Sequence, residues 1–210
     1  MIIGVLDYGA GNLKNVCRAI EHLGYGYKLV SSAAEVLSVE KLIIPGVGAF
    51  KVAMEQLHTL NLVEPIKQLA QRGIPILGIC LGMQLLFERS TEFALTEGLG
   101  LLKGSVELLP SVGLSEEKLK VPHIGWNELV VDISDAPIAK GVGLDDAVYY
   151  VHSYRAIGFE QSDLIAHSLY DGLLIPGIVQ KGNILGCQFH PEKSGELGLN
   201  IFNNFLRTNE

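Results

Sequence analysis

The sequence predicts an α/β fold: a doubly wound, mostly parallel sheet with an antiparallel extension. Three observations predict it. Short apolar runs alternate with helix-period segments in the first half, strand-like pieces separated by turns follow after about Gly98, and an amphipathic segment closes the chain. Strands that are apolar on both faces belong in a sheet covered by helices on both sides. Of the 210 residues, 48% are hydrophobic and 19% charged, too apolar and too weakly charged for a disordered chain. The length suits a single domain over residues 1–210, with no linker, repeat or break in composition.

The first apolar run, Ile2 to Leu6, leads through the turn DYGAGN into a segment where Leu13, Val16, Cys17, Ile20 and Leu23 recur at helical spacing. Gly24 is placed to end that helix. YKLVS, KLIIP and PILGIC repeat the apolar-strand signal, with helical segments around Met54 and from Leu62 to Gln71 between them. PILGIC runs straight into LGMQLLFER, read as a helix from Leu81 to Arg89. Downstream, SVELL, NELVV, AVYYVHSYR, LIAHSLY, LIPGIVQ and ILGCQFH read as strands, and ELGLNIFNNFLR as the closing helix.

Several function classes are excluded early. With 16 Lys and Arg against 23 Asp and Glu, the net charge is −7, and no basic cluster exists to track phosphates, so nucleic acid is not expected as a partner. The longest uncharged stretch, Gly73 to Phe87, has 15 residues and contains Pro75, short of the ~18 needed to span a membrane. Met1 to Leu6 has neither the basic leader nor the length of a signal peptide, so the expected location is the cytoplasm. Lys14 stands where a dinucleotide fingerprint beginning Gly9-Ala10-Gly11 needs its third glycine, and no P-loop or H-E-x-x-H pattern occurs. Neither a cofactor nor a metal is expected. Three scattered cysteines make no disulfide framework; Cys17 and Cys187 read as packing, and His22, His58 and His167 as surface or satisfied residues.

Cys80 is different. In Gly78-Ile79-Cys80-Leu81-Gly82 it sits between a strand and a helix, flanked by glycines that permit the strained elbow of a G-x-nucleophile-x-G motif. A helix N-terminus there would favour thiolate, the reactive form. Packing is the commoner fate of a free cysteine, so the motif requires a base elsewhere. Gln188-Phe189-His190-Pro191-Glu192 supplies one at the end of the last strand. Residues two apart on an extended segment share a side, so Glu192 could hold one imidazole nitrogen of His190 and leave the other for the thiol. Pro45-Gly46-Val47-Gly48-Ala49-Phe50 follows another apolar strand and could turn backbone N–H groups toward an oxyanion, with that of Leu81. The same stretch also reads as an ordinary glycine-rich βα turn. Trp126, in HIGWN, reads equally as core or as an interface anchor.

Together GICLG, FHPE and the glycine-rich turn resemble the class I, triad-type glutamine amidotransferases. DYGAGNLKNV, PGVGAF, VPHIGWN, YYVHSYR and FHPEKSG extend the likeness over essentially the whole chain, toward the glutaminase subunits that feed a histidine-pathway cyclase. The resemblance implies that family's fold, and a Cys80–His190–Glu192 triad releasing ammonia from glutamine. It further implies backbone contacts from Val47, Gly48 and Leu81, and glutamine binding by Gln84, Ser153 and Tyr154. Asn12, Trp126, Tyr149 and Lys193 would lie toward a partner, a (β/α)8 barrel cyclase joined as a heterodimer. That cyclase would use the ammonia to make imidazole glycerol phosphate and an aminoimidazole carboxamide ribotide. A glutaminase domain occupies most of 210 residues, so the ammonia acceptor must sit on another chain. Competing readings are an amidotransferase subunit of another synthase, such as one in surface-sugar synthesis, a stand-alone γ-glutamyl hydrolase, and a non-catalytic interaction subunit.

Overall fold

The computed structural model describes residues 1–9, 13–116 and 118–208. Its strands are β1 (Ile3–Leu6), β2 (Lys28–Val30), β3 (Lys41–Ile44), β4 (Ile76–Ile79), β5 (Phe87–Ser90), β6 (Thr96–Glu97), β7 (Leu102–Leu108), β8 (His123–Glu128), β9 (Val130–Val131), β10 (Ala147–His152), β11 (Tyr154–Ile157), β12 (Leu164–Tyr170), β13 (Leu173–Lys181) and β14 (Ile184–Cys187). The helices are α1 (Leu13–His22), α2 (Ala33–Val36), α3 (Phe50–Thr59), α4 (Val63–Gln71), α5 (Leu81–Leu85) and α6 (Gly195–Arg207).

The main sheet has eight strands in the order β2-β1-β3-β4-β14-β13-β12-β9. Pairings from β2 to β14 are parallel, and those from β14 through β13 and β12 to β9 are antiparallel. Successive side chains of a strand point to opposite faces, and the core divides accordingly. Ile3, Val5, Ile43, Leu77, Ile79 and Leu185 join one cluster with Val16 and Ile20 of α1 and Phe202 and Phe205 of α6. Leu6, Leu42, Ile44, Ile76 and Ile184 join the other, with Met54 and Leu57 of α3 and Ile66 and Leu69 of α4. Strands β1 and β4, buried along their whole length, are apolar throughout because both of their faces are covered. Gly24 closes α1 at φ 84°, with Tyr25 N–H donating to Ile20 O as in a Schellman cap. Lys41 is buried at the start of β3, where its ammonium donates to the carbonyls of Phe205 (3.1 Å), Leu206 (2.5 Å) and Thr208 (2.6 Å) and so caps α6.

Two expectations are corrected. The helix after PILGIC ends at Leu85, and Phe87–Ser90 is strand β5. Leu99 N–H takes the carbonyl of Leu85, which a helix reaching Arg89 would use for its own Arg89 N–H, and Leu101 and Gly100 N–H take those of Leu86 and Phe87. Nor do all downstream strands extend the main sheet. AVYYVHSYR breaks at Ser153 into β10, which pairs with β8, and β11, which joins a four-stranded sheet ordered β11-β7-β5-β6. No helix among the described residues is long and apolar enough to cross a membrane.

Candidate active site

Strand β4 delivers the chain to Cys80, whose N–H donates to Cys187 O at 2.7 Å and whose carbonyl receives Gln84 N–H at 3.1 Å. At φ 54° and ψ −110° Cys80 lies outside the regions open to ordinary L-residues, a strain of roughly 1–3 kcal/mol. The surrounding packing enforces it. A Cβ on Gly82 would stand 1.8 Å from the carbonyl oxygen of Ile44, and one on Gly78 would stand 2.5 Å from the carbonyl oxygen of Gly82. The two glycines thus let β3, β4 and α5 meet backbone to backbone, which turns the cysteine out of the strand. Cys80→Gly should consequently raise the melting temperature by a few degrees, because glycine adopts this conformation freely, while abolishing thiol chemistry. A melting curve that falls instead would show that Cys80 is not strained.

The elbow helix is only five residues long, so its dipole is smaller than LGMQLLFER suggested. Side-chain and backbone groups surround the sulfur instead. Gln188 Nε2 donates to Sγ at 3.9 Å, and the thiol can donate to Val151 O at 3.8 Å. Sequence reading gave Gln188 no role; its side chain is fully buried, with its amide oxygen held by Gln84.

His190 and Glu192 lie past the end of β14. Nδ1 of His190 stands 2.8 Å from Glu192 Oε1, with the two side chains only 2% and 1% exposed. Glu192 reaches it from a 3₁₀ turn, Pro191–Lys193, rather than from the extended strand the sequence implied. A carboxylate only accepts, so Nδ1 carries the proton and Nε2 is left as the free nitrogen. Nε2 is buried with no hydrogen-bond partner among the described residues. Burial alone would lower this imidazole, but its interactions with Cys80 and Glu192 outweigh burial and push it up to about 9. Such coupling favours the protonated form of the imidazole. The backbone here is braced: Ser194 Oγ–H donates to His190 O at 2.7 Å and accepts Tyr149 N–H at 2.9 Å.

Beside the sulfur opens a cavity of about 270 Å³. Val47, Gly48, Leu81, Gln84, Ser153 and Tyr154, all singled out in the sequence, line it with Cys80. The PGVG turn packs directly on the elbow, since a Cβ on Gly46 would stand 2.9 Å from Gly82 N, and Tyr8 O–H ties the turn down through Pro45 O at 2.8 Å. Gly48 adopts φ 108°, a conformation that favours glycine. Both Nε2 protons of Gln84 are engaged, one with Tyr154 O (3.0 Å) and one with Gln188 Oε1 (3.1 Å), which leaves only its acceptor oxygen for a ligand.

Glu92 also lines the cavity. Its Oε2 accepts Phe50 N–H at 2.5 Å, fixing the carboxylate at the start of α3. Sequence reading missed it because an acid in the loop TEFA carries no periodic or motif signal. The interface candidates lie apart from the cavity. Trp126 of β8, 56% exposed, meets Tyr149 of β10 edge-on at 5.9 Å, and Lys193 ends the turn beyond Glu192. Asn12 lies outside the described residues. Among the described residues no group of His, Cys, Asp or Glu could hold a metal ion. His167 is satisfied by Asp132 at 2.8 Å, and Cys17 and Cys187 are buried.

Comparison with known proteins bears on this geometry. The family model "Glutamine amidotransferase class-I" matches residues 4–209. The chain is 47% identical over 209 residues to imidazole glycerol phosphate synthase subunit HisH 1 of Legionella pneumophila (strain Lens), covering 98% of each. It is 48% identical over 204 residues to HisH of Caldanaerobacter subterraneus subsp. tengcongensis, covering 97% of each. A crystal structure of a glutamine amidotransferase superposes with a TM-score of 0.75 at 20% identity over 98% of this chain and 97% of that one. The structure of PurLQS from Thermotoga maritima does so with 0.72 at 22% identity, over 98% and 97%. These two likenesses are likenesses of fold.

Proposed function

Since the chain belongs to the class I glutamine amidotransferase family, on the branch of the HisH subunits of imidazole glycerol phosphate synthase, we propose that Cys80, His190 and Glu192 hydrolyse glutamine for an acceptor on a partner chain. The observation that carries this reading is the strained Cys80 at a cavity wall, interacting with an imidazole whose outer nitrogen is held by Glu192 and whose inner nitrogen is buried without a partner among the described residues.

The thiolate of Cys80 attacks the side-chain amide carbon of glutamine, and N–H groups of Leu81 and the Val47–Gly48 turn receive the developing oxyanion. His190 holds the former thiol proton at Nε2 and delivers it to the departing nitrogen, which leaves as ammonia. The γ-glutamyl thioester is cleaved by a water that gives a proton to His190. Glutamate departs, and the thiolate–imidazolium pair is restored. Glu192 keeps the proton on Nδ1 throughout. Glu92 and the acceptor oxygen of Gln84 suit the α-ammonium of glutamine, and the Ser153–Tyr154 segment suits its carboxylate.

Residues 1–210 act as one glutaminase domain in the cytoplasm. Ammonia passes to a (β/α)8 barrel cyclase held as a heterodimer through Trp126, Tyr149 and Lys193, with Asn12 proposed from the sequence as a further contact residue. There it is incorporated in making imidazole glycerol phosphate and the aminoimidazole carboxamide ribotide. Val47, 42% exposed in its turn, belongs to the part of the oxyanion site that partner binding completes. Glutaminase turnover should therefore be low for the isolated chain and rise by roughly 5- to 150-fold, an ordinary coupling range, when the barrel cyclase and its nucleotide substrate are added. Full turnover without a partner would identify a stand-alone hydrolase, and stimulation only by another synthase's acceptor subunit would identify a paralogue.

A further inference from the structure

His152 lines the cavity, yet no step above uses it. It is the middle of a buried chain of contacts. Its Nδ1 stands 2.9 Å from Tyr154 O, its Nε2 stands 2.9 Å from His123 Nδ1, and His123 Nε2 stands 3.1 Å from Asn127 Oδ1. The Asn127 amide is oriented by its other end, where Nδ2 donates to Leu169 O at 2.8 Å. Both ends of the chain are thus acceptors, and three contacts need three protons. Two neutral imidazoles carry two.

A third proton is opposed chiefly by burial, against smaller contributions that favour it from the Tyr154 carbonyl at His152 and from Asn127 at His123. Burial pushes His152 down to about 3, with His123 and His190 adding to the effect, and burial lowers His123 as well. The rings of Tyr150 at 4.9 Å and Tyr170 at 3.9 Å stack on His123, and the His152 ring meets it edge-on at 4.9 Å. At neutral pH one contact must go without its proton, and burial decides which. Asn127 is half-buried at the outer end, where its amide oxygen can take a proton from water. The Tyr154 carbonyl also anchors Gln84 at the cavity wall, and a bare Nδ1 at 2.9 Å would repel it.

We propose that His123 and His152 are positioning residues for glutamine: His123 Nδ1–H donates to His152 Nε2, which commits the one proton of His152 to Nδ1 and so fixes the Tyr154 carbonyl on which Gln84 hangs. The consequence for turnover rests on the glutaminase reading; the tautomer does not. In the full chain, ¹⁵N NMR of the imidazole nitrogens near pH 7.5 should show both rings protonated at Nδ1 and bare at Nε2. An Nε2-protonated His152, or a doubly protonated ring in either residue, overturns the proposal. In the complex with the barrel cyclase, His123→Phe keeps the stacking and removes the donor, so KM for glutamine should rise about three- to tenfold with kcat within twofold, the scale of one lost hydrogen bond. His123→Asn, whose Nδ2 can stand where Nδ1 stood, should restore KM. Unchanged KM in His123→Phe, or a loss that Asn does not restore, overturns the proposed positioning role. A wild-type complex without glutaminase activity would instead sink the functional reading, and the NMR result would still decide the tautomer, including where His123→Phe does not fold.

Discussion

Cys80→Ala, combined with the proposed barrel cyclase, should lose at least roughly 10⁴-fold in glutamine-dependent turnover, the scale seen when a nucleophile is removed from a cooperating triad. Synthesis from added ammonia should stay within twofold if, as proposed, the acceptor site is on the other chain. Alanine retains the Cβ and the backbone of the elbow, so the melting temperature should hold within a degree or two. The pairing of the two assays matters more than either alone. Loss of both activities would point to a damaged interface, and undiminished glutamine-dependent turnover would eliminate Cys80 as the nucleophile and with it the proposed mechanism.

Gly82→Ala is expected to have the largest effect on stability. In an exposed helix, replacing glycine with alanine gains up to about 1 kcal/mol. Here the added methyl would stand 1.8 Å from the Ile44 carbonyl, a backbone atom of β3 that has no flexible side chain to move. Relief requires α5 to lift off β3, and such overpacking costs more than the propensity gain, about 3 kcal/mol or more. For a chain of this length that corresponds to a fall in melting temperature of about 6 °C or more, with glutaminase activity lost as Cys80 shifts. A variant that melts at or above the wild-type temperature would show that the elbow is not held by backbone contact.

The contrast between Gly82 and Cys80→Gly follows from the same geometry. Strain is stored at one residue because its neighbours cannot grow, so removing side-chain bulk at Cys80 relaxes the turn and adding it at Gly82 breaks the turn. Both effects were foreshadowed by the local pattern GICLG, since a strained turn between strand and helix needs small flanking residues. The pattern did not show what the glycines touch.

The amino-acid order by itself determined the doubly wound sheet, its antiparallel extension, and membership of the amidotransferase family. Those features reside in short-range periodicity and in motifs a few residues long, such as the apolar runs of β1, β3 and β4 and the segments GICLG and FHPE. Only the tertiary structure decided that α5 stops at Leu85, where the carbonyls of Leu85, Leu86 and Phe87 are taken by residues 99 to 101. Only it brought Glu92 to the cavity wall, set Gln188 against the sulfur, and divided AVYYVHSYR between two sheets. The same holds for the shortage of protons between His123 and His152, 29 residues apart. Hydrogen-bond partners and buried charges depend on which distant groups arrive at one place, and a local pattern carries no record of that arrival.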